Sequence, residues 1–355
     1  MNRVQKLLDA AHIQPGEGIL IHKPSNIYYL SGYTGEGLLA LGEGLSAIVT
    51  DFRYTEQAGR QAPECTCHMV EKGISHEKLA ARLFAEKGIT RVRFEADEVT
   101  VEGFEQMQQE MPGIEFAPLN GVPEEIRKVK EPCEVAFIEE ACNISCDAFE
   151  DILTFVRPGM TERQVQLHLD YKMLELGAEG LAFNTIAAAG ENGSLPHAIP
   201  GDRVIEKGDM LTLDFGAKKH GYCADMTRTF AIGQPSAEMK RIYDTVLSAQ
   251  EACQAMLAPG VNCKAVDAHA REIIDGAGYQ GRFGHGLGHG VGIDIHESPR
   301  LSQSCDEDLV AGHIVTVEPG IYVPGLGGVR IENTCVITPD GARTLVRAPK
   351  QLIIL

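Results

Sequence analysis

Positive charge is scarce in this chain. Its 355 residues hold 32 Lys and Arg against 50 Asp and Glu, a formal net charge of −18. That balance argues against a nucleic-acid backbone or an anionic membrane as partner, since both are held by cationic side chains. Long apolar runs are missing too. No stretch reaches the ~18 residues needed to span a bilayer. The opening Met1-Asn-Arg-Val-Gln-Lys lacks the apolar core of a secretion signal. The ten cysteines show no framework spacing. Cys65-Thr-Cys67-His68 is the one cluster, and no second ligand pair follows it at zinc-site spacing. Reduced thiols and a cytoplasmic address are the expectation. The remainder is ordinary globular material, 44% hydrophobic and 23% charged, with enough apolar residues for a core. The length suggests two domains.

Residues 1 to about 120 read as a small α/β unit. Val4–Ala11 spells a short helix, Gly18–Ile21 an apolar strand, and Leu38–Leu41 with Leu45–Thr50 a hairpin broken at Gly42-Glu-Gly44. Helices follow over Glu56–Arg60, His76–Lys87 and Thr100–Gln109, with Gly88 placed as a C-cap and Arg91–Phe94 as a strand. Residues 119–132 are a candidate boundary, with a turn signal at Asn120-Gly-Val-Pro123 and Pro132 suited to the first turn of a new helix. From Cys133 apolar residues recur at helical spacing. Thr161 and Gln164 form a capping-box start. Met239–Met256 and Ala265–Ile274 make a second helix pair. Each pair is followed by glycine-rich strands, which hints at two related halves without a residue-level repeat to prove it.

The chemistry is concentrated in Phe283-Gly-His-Gly-Leu-Gly-His-Gly-Val-Gly-Ile-Asp-Ile-His296, which packs three histidines and five glycines into fourteen residues. Glycine lets the backbone come close to a bound group, and imidazole is a common metal ligand. The run is not a dinucleotide fingerprint, because no βαβ unit follows it. Two hairpins flank it in sequence. In the first, a turn centred between Lys219 and His220 would pair Asp214 directly with Asp225. Opposed residues share a face about 5 Å apart, so the pair would repel unless one acid is displaced, protonated or bridged by a cation. In the second, a turn centred on Gly325 sets Glu318 opposite Glu332. Two such pairings beside a His-Gly loop point to metal. Four carboxylates and one imidazole favour hard to borderline divalent ions, Mn²⁺ or Co²⁺ more than thiolate-bound Zn²⁺. A pair of ions ~3.5–4 Å apart is a known device for ionising a water.

Leu195-Pro-His197, Leu213-Asp-Phe-Gly216, Asp225-Met-Thr-Arg-Thr229, His285-Gly-Leu-Gly-His-Gly290, Val317-Glu-Pro-Gly320 and Val329-Arg-Ile-Glu332 together resemble the proline-specific branch of the pita-bread metallopeptidases. That branch holds Xaa-Pro dipeptidase (prolidase) and Xaa-Pro aminopeptidase. The resemblance implies an α+β chain. Residues 1–122, with Asn26-Ile-Tyr-Tyr-Leu-Ser-Gly32 as a typical stretch, would be a creatinase-like N-terminal α/β domain, and 123–355 the pita-bread catalytic domain. It implies metal ligands at Asp214, Asp225, His289, Glu318 and Glu332, with Asp225 and Glu332 bridging two ions, Mn²⁺ first and Co²⁺ or Zn²⁺ as alternatives. It places His197, His285 and His296 around the substrate and gives Arg330 a supporting role beside Glu332. It also implies a homodimer acting on proline-containing dipeptides or oligopeptides. The sequence departs from the family at Ala182 and Ala187-Ala-Ala-Gly190, where Ser is common. Neither departure touches a ligand.

On that reading Glu318 takes and returns a proton, and His296 or His197 donates a hydrogen bond to the developing oxyanion. His285 also fits a plain loop residue, Tyr322 a packing residue, and His313 and His220 surface positions. A metal-free creatinase-type hydrolase or a non-enzymatic binding protein on the same fold predicts replaced ligands, and all five are present. Methionine aminopeptidase shares the ligand set but has no need of the first 120 residues. The choice between dipeptides and longer peptides stays open.

Overall fold

The structure, a computed structural model, describes residues 2–355. The chain divides into two compact units, one ending at Arg127 and one starting at Lys128. In the first, helices α1 (Arg3–Ala10), α2 (Pro24–Ser31), α3 (Thr55–Gln61), α4 (His76–Glu86), α5 (Val101–Glu110) and α6 (Val122–Lys128) accompany six strands. These are β1 (Glu17–Ile21), β2 (Leu38–Gly42), β3 (Leu45–Thr50), β4 (Thr66–Met69), β5 (Arg91–Phe94) and β6 (Glu115–Pro118). They form one sheet in the order β4-β3-β2-β1-β5-β6, antiparallel across β2 and parallel from β1 to β6. Its core gathers Leu20, Val49, Phe84 and Val92, all buried. The helix ends follow local chemistry. Ser75 accepts from Lys78 N to start α4, and Gly88 takes φ +68° just past its end.

The second unit opens with α7 (Pro132–Phe155) and α8 (Glu162–Glu175). Pro132 sits in the first turn of α7. At α8 both expected capping-box bonds are made, Gln164 N to Thr161 Oγ1 at 3.2 Å and Thr161 N to Gln164 Oε1 at 2.9 Å. Strands β7 (Gly180–Leu181), β8 (Ile186–Ala189), β9 (Met210–Phe215), β10 (Ala217–Lys219), β11 (Tyr222–Cys223) and β12 (Met226–Ala231) follow. They make two small sheets, β11-β10-β7 and β12-β9-β8. The second helix pair is α9 (Ala237–Met256) and α10 (Cys263–Gly276). After it come β13 (Gly288–Gly290), β14 (Glu297–Leu301), β15 (Ile314–Val317), β16 (Gly320–Val323), β17 (Gly327–Arg330), β18 (Asn333–Thr338) and β19 (Gly341–Thr344). β14-β13-β15-β18-β19 form one sheet and β16-β17 a ribbon. α9 and α10 bury Ile242, Val246, Val266 and Ile274 against Val315, Val317, Val329 and Ile331 of these strands. The strands that carry the acids are therefore backed by a dry core, and their side-chain directions are fixed.

Two histidines expected at the surface differ. His220 is in a turn, with Nε2 3.0 Å from Glu140. His313 is buried, because it enters β15 and its Nδ1 accepts from Val310 N at 3.3 Å. None of the ten cysteines is joined in a disulfide. Among the described residues no helix is long and apolar enough to cross a membrane.

Candidate metal centre

Asp214 lies in β9 and Asp225 just before β12. Their hairpin turns at His220-Gly221, where φ is +49° and +70°. Two successive positive φ values make the tight two-residue turn that suits antiparallel strands. The centre is one residue later than expected, so Lys219 faces Tyr222 and Asp214 faces Thr227 rather than Asp225. Shifting a turn centre by one residue moves each partner by two, which preserves the face. Asp214 and Asp225 thus still line a single cavity. The second hairpin has the expected register. Gly320 pairs with Arg330, and Val317 with Asn333. Glu318 and Glu332 fall opposite each other at the break between the two ladders.

His289 is the middle residue of β13, between glycines. A Cβ on Gly288 would lie 2.0 Å from Thr316 O, and one on Gly290 2.4 Å from Ser298 O. Only glycine admits both neighbouring backbones so close, and that is how the imidazole reaches the centre. Its Nδ1 donates to Gly290 O at 3.0 Å, which leaves Nε2 as a bare lone pair. Nε2 is 3.4 Å from both Asp225 Oδ2 and Glu318 Oε1. Burial pushes the ring down to about 3, so it is neutral at physiological pH. Donor atoms of Asp225, His289 and Glu332 all lie within 4.8 Å of one another.

The acids are held from behind by one oxygen each. Glu332 Oε2 accepts from Thr227 O–H at 2.7 Å, and Asp214 Oδ2 from Arg330 Nη2 at 2.6 Å. The other oxygens, Asp214 Oδ1 and Glu332 Oε1, are buried without a hydrogen-bond partner. Leaving such atoms unpaired costs at least ~1–3 kcal/mol each. Burial, and then the neighbouring acids, push Asp225 and Glu332 well above the usual carboxylate range. Burial pushes Glu318 up to about 8. Converging carboxylates, a bare imidazole nitrogen and two orphaned oxygens fit divalent cations, which would satisfy the oxygens and relieve the repulsion.

The flanking residues are placed as follows. Arg330 pairs with Asp214 and not with Glu332, because Thr227 stands between them, taking Arg330 Nε at 3.2 Å while donating to Glu332. Tyr322 is more than packing. Its hydroxyl accepts from Arg330 Nη1 at 2.9 Å and donates to His285 Nε2 at 2.8 Å. His285 Nδ1 donates to Gly286 O, so both its ring nitrogens are engaged in the cavity wall. His296 lies edge-on to His289, with ring centres 4.5 Å apart. It and His197 line the cavity, which encloses about 850 Å³.

Sequence reasoning missed Thr227, Tyr322 and the clamp behind the His-Gly loop. There Arg271 donates to Phe283 O at 2.9 Å and His285 O at 2.6 Å while paired with buried Asp267. The i,i+4 spacing of Asp267 and Arg271 on α10 was the available signal. Tyr322→Phe should lower turnover about 10-fold or more, the usual effect of losing an orienting partner, and leave bound metal unchanged on elemental analysis.

Comparison with known proteins agrees with this architecture. Residues 1–129 match the creatinase/prolidase N-terminal domain and residues 136–339 metallopeptidase family M24. An Xaa-Pro dipeptidase from Pyrococcus horikoshii is 36% identical over 99% of this chain and 98% of its own. The structure of an Xaa-Pro dipeptidase from Bacillus anthracis superposes with a TM-score of 0.94 at 39% identity, covering 99% of this chain and 98% of that one. An X-Pro aminopeptidase from Thermotoga maritima superposes at 0.92 with 34% identity, covering 99% and 100%. With its acids on two β-ribbons and its histidine on β13, in a sequence that follows a creatinase-type N-terminal domain, the chain belongs to metallopeptidase family M24.

Proposed function

We propose that this chain is a metal-dependent peptidase that cleaves the bond between an N-terminal residue and proline. The observation that carries the reading is the convergence of Asp214, Asp225, His289, Glu318 and Glu332 in one cavity, two of the acids with an orphaned inward oxygen. Those five residues would hold two divalent ions. Asp225 and Glu332 would serve both ions, Asp214 one of them, and His289 with Glu318 the other. An oxygen-rich donor set favours Mn²⁺ over Co²⁺ or Zn²⁺. Bound there, the ions would supply Lewis acidity and lower the pKa of a water.

The chain's own residues carry the protons. Glu318 accepts from Thr316 O–H at 3.2 Å and lies in the cavity beside the other donors, where its carboxylate can meet a water. It takes the proton of the attacking water and returns it to the leaving proline nitrogen. His296 or His197, on the open side, donates to the developing oxyanion. Proline offers no N–H at the scissile bond, so recognition falls to its ring and to whatever follows it. The metal-free hydrolase and the binding protein both require lost donors, and none is lost. A homodimer and a cytoplasmic address accompany this proposal.

Dipeptides are the favoured substrates. Arg300 pairs directly with His289 across β13 and β14, so its side chain emerges on the face of the metal donors, and it lines the cavity. A guanidinium there matches the free carboxylate of an Xaa-Pro dipeptide. Arg300→Gln should lower kcat/KM on Ala-Pro by about 10- to 100-fold, the worth of a charge-assisted hydrogen bond, and change an Ala-Pro amide by less than about threefold. The test of the whole reading strips the protein with a chelator, restores Mn²⁺ and compares Ala-Pro, Ala-Pro-Ala and Ala-Ala. Turnover should require metal and proline. Equal rates on Ala-Ala and Ala-Pro would overturn it.

A further inference from the structure

β13 ends at Gly290 and β14 begins at Glu297, which pairs back with Gly290 after a register shift at His289. Residues 291–296 between them form a loop that carries Ile295 and His296 into the cavity. His296 is exposed apart from the edge-on contact of its ring with His289. Its place depends on the loop backbone. The backbone is tied at Gly292, whose N–H donates to Asp294 O at 3.1 Å and whose carbonyl accepts from Cys223 N at 2.8 Å.

Under the loop lies a carboxylate. Glu297 Oε1 accepts from Asp294 N at 3.1 Å, and Oε2 accepts from Lys130 Nζ at 2.9 Å. Both oxygens lie 2.5 Å from where a Cβ on Gly292 would stand, so the carboxylate fills the space that a side chain there would take. The ion pair is buried, with Lys130 and Glu297 side chains 1% and 9% exposed. Lys130 cannot follow the loop if the loop moves. Its N–H donates to Gly312 O at 2.9 Å, and α7 starts two residues later at Pro132. The ammonium is a fixed post beneath the end of the loop that carries His296; the start of the loop is held separately, by Val291 N–H to Ile314 O at 3.3 Å and by Cys223 Sγ to Ile293 O at 3.4 Å.

We propose that the buried Lys130–Glu297 pair positions the loop that carries His296, and so sets where that imidazole meets the substrate's carbonyl. Lys130 is a positioning residue and touches neither substrate nor the metal donors. The proposal rests on the peptidase reading above. Removing the ammonium takes the paired cation from a buried carboxylate, which then takes a proton or swings toward water, and Asp294 and His296 move with it.

The experiment is a double-mutant cycle on the Mn²⁺-loaded full chain with Ala-Pro as substrate. Lys130→Met should lower kcat by about 10- to 100-fold, as loss of a supporting partner does, with KM within about threefold and bound Mn²⁺ unchanged. Adding Glu297→Gln, which leaves no charge stranded, should recover most of the loss. In a His296→Ala background Lys130→Met should cost less than about threefold, because the ring it positions is gone. If Lys130→Met does not fold, Lys130→Arg, which keeps the charge and displaces it, carries the same cycle. Wild-type kcat in the Lys130 variant, or losses that multiply fully with His296→Ala, would overturn the proposal alone. A wild-type chain inert towards Ala-Pro would overturn the peptidase reading and this proposal with it.

Discussion

Asp225→Asn should abolish Xaa-Pro cleavage and lower bound metal. Asp225 is one of the two acids whose oxygens face His289 Nε2, and its donor atom lies within 4.8 Å of those of both His289 and Glu332. An amide keeps the shape but offers one neutral oxygen where the carboxylate offers two that share a negative charge. The loss should exceed the ~10²–10³-fold that follows removal of a single electrostatic stabiliser. The same substitution should act oppositely on the metal-free fold. Burial and the neighbouring acids push Asp225 well above its ordinary range, so its charge is a liability when no cation is bound. With chelator at pH 8, Asp225→Asn should melt above the wild type; with Mn²⁺ present, below it. The backbone there is held independently, with Thr334 O–H donating to Asp225 O at 2.7 Å. Full turnover with unchanged metal content in this variant would leave the centre without a bridging acid.

Chelation should make stability fall as pH rises. Asp225, Glu318 and Glu332 are all raised in the fold, Glu318 to about 8 from 4.5. Groups raised in the folded state hold protons that the unfolded chain has released. Their stabilisation is complete below the unfolded value and is lost as pH climbs through the folded one. His285 and His289 work the other way. Burial pushes them down to about 4 and about 3, so the fold gains from them until pH passes 6.5. Above that they are neutral in both states. Between pH 6.5 and 8 these acids act together with Glu95 of the first unit, which burial raises to about 7, and the metal-free melting temperature should drop. With Mn²⁺ the trend should reverse, since cations bind the deprotonated set. A thousandfold excess of metal over Kd adds ~4.1 kcal/mol per site. At roughly 2–4 °C per kcal/mol for a unit of this size, each ion should raise melting by about 8–16 °C. Thermal denaturation with and without chelator at the two pH values reads all of this. A flat metal-free profile would mean that the acids are not gathered in one dry site.

What was legible in the sequence was local. Thr161 and Pro132 mark helix starts because each satisfies or forgoes a backbone N–H within three residues. Glu318 and Glu332 could be set opposite each other because both ladders around Gly325 share one register. The first hairpin was less legible. Its centre depended on which residue accepts positive φ, and His220 takes φ +49° beside Gly221. Arg330 was expected beside Glu332 and meets Asp214, because Thr227, on a strand about a hundred residues away in sequence, occupies the gap. Tyr322 looked like packing because its hydroxyl partners, Arg330 and His285, share no period with it.

By itself the sequence determined which acids and histidines stand as candidate donors and which strand or loop carries each one. Strand alternation, turn chemistry and the glycines around His289 act over a few residues and need no distant partner. Only the tertiary structure decided what each donor faces: which carboxylate oxygen is held from behind, which is left bare, and that Lys130 stands under the His296 loop. Those outcomes depend on how ladders far apart in the chain are pressed against one core, and no local pattern encodes that.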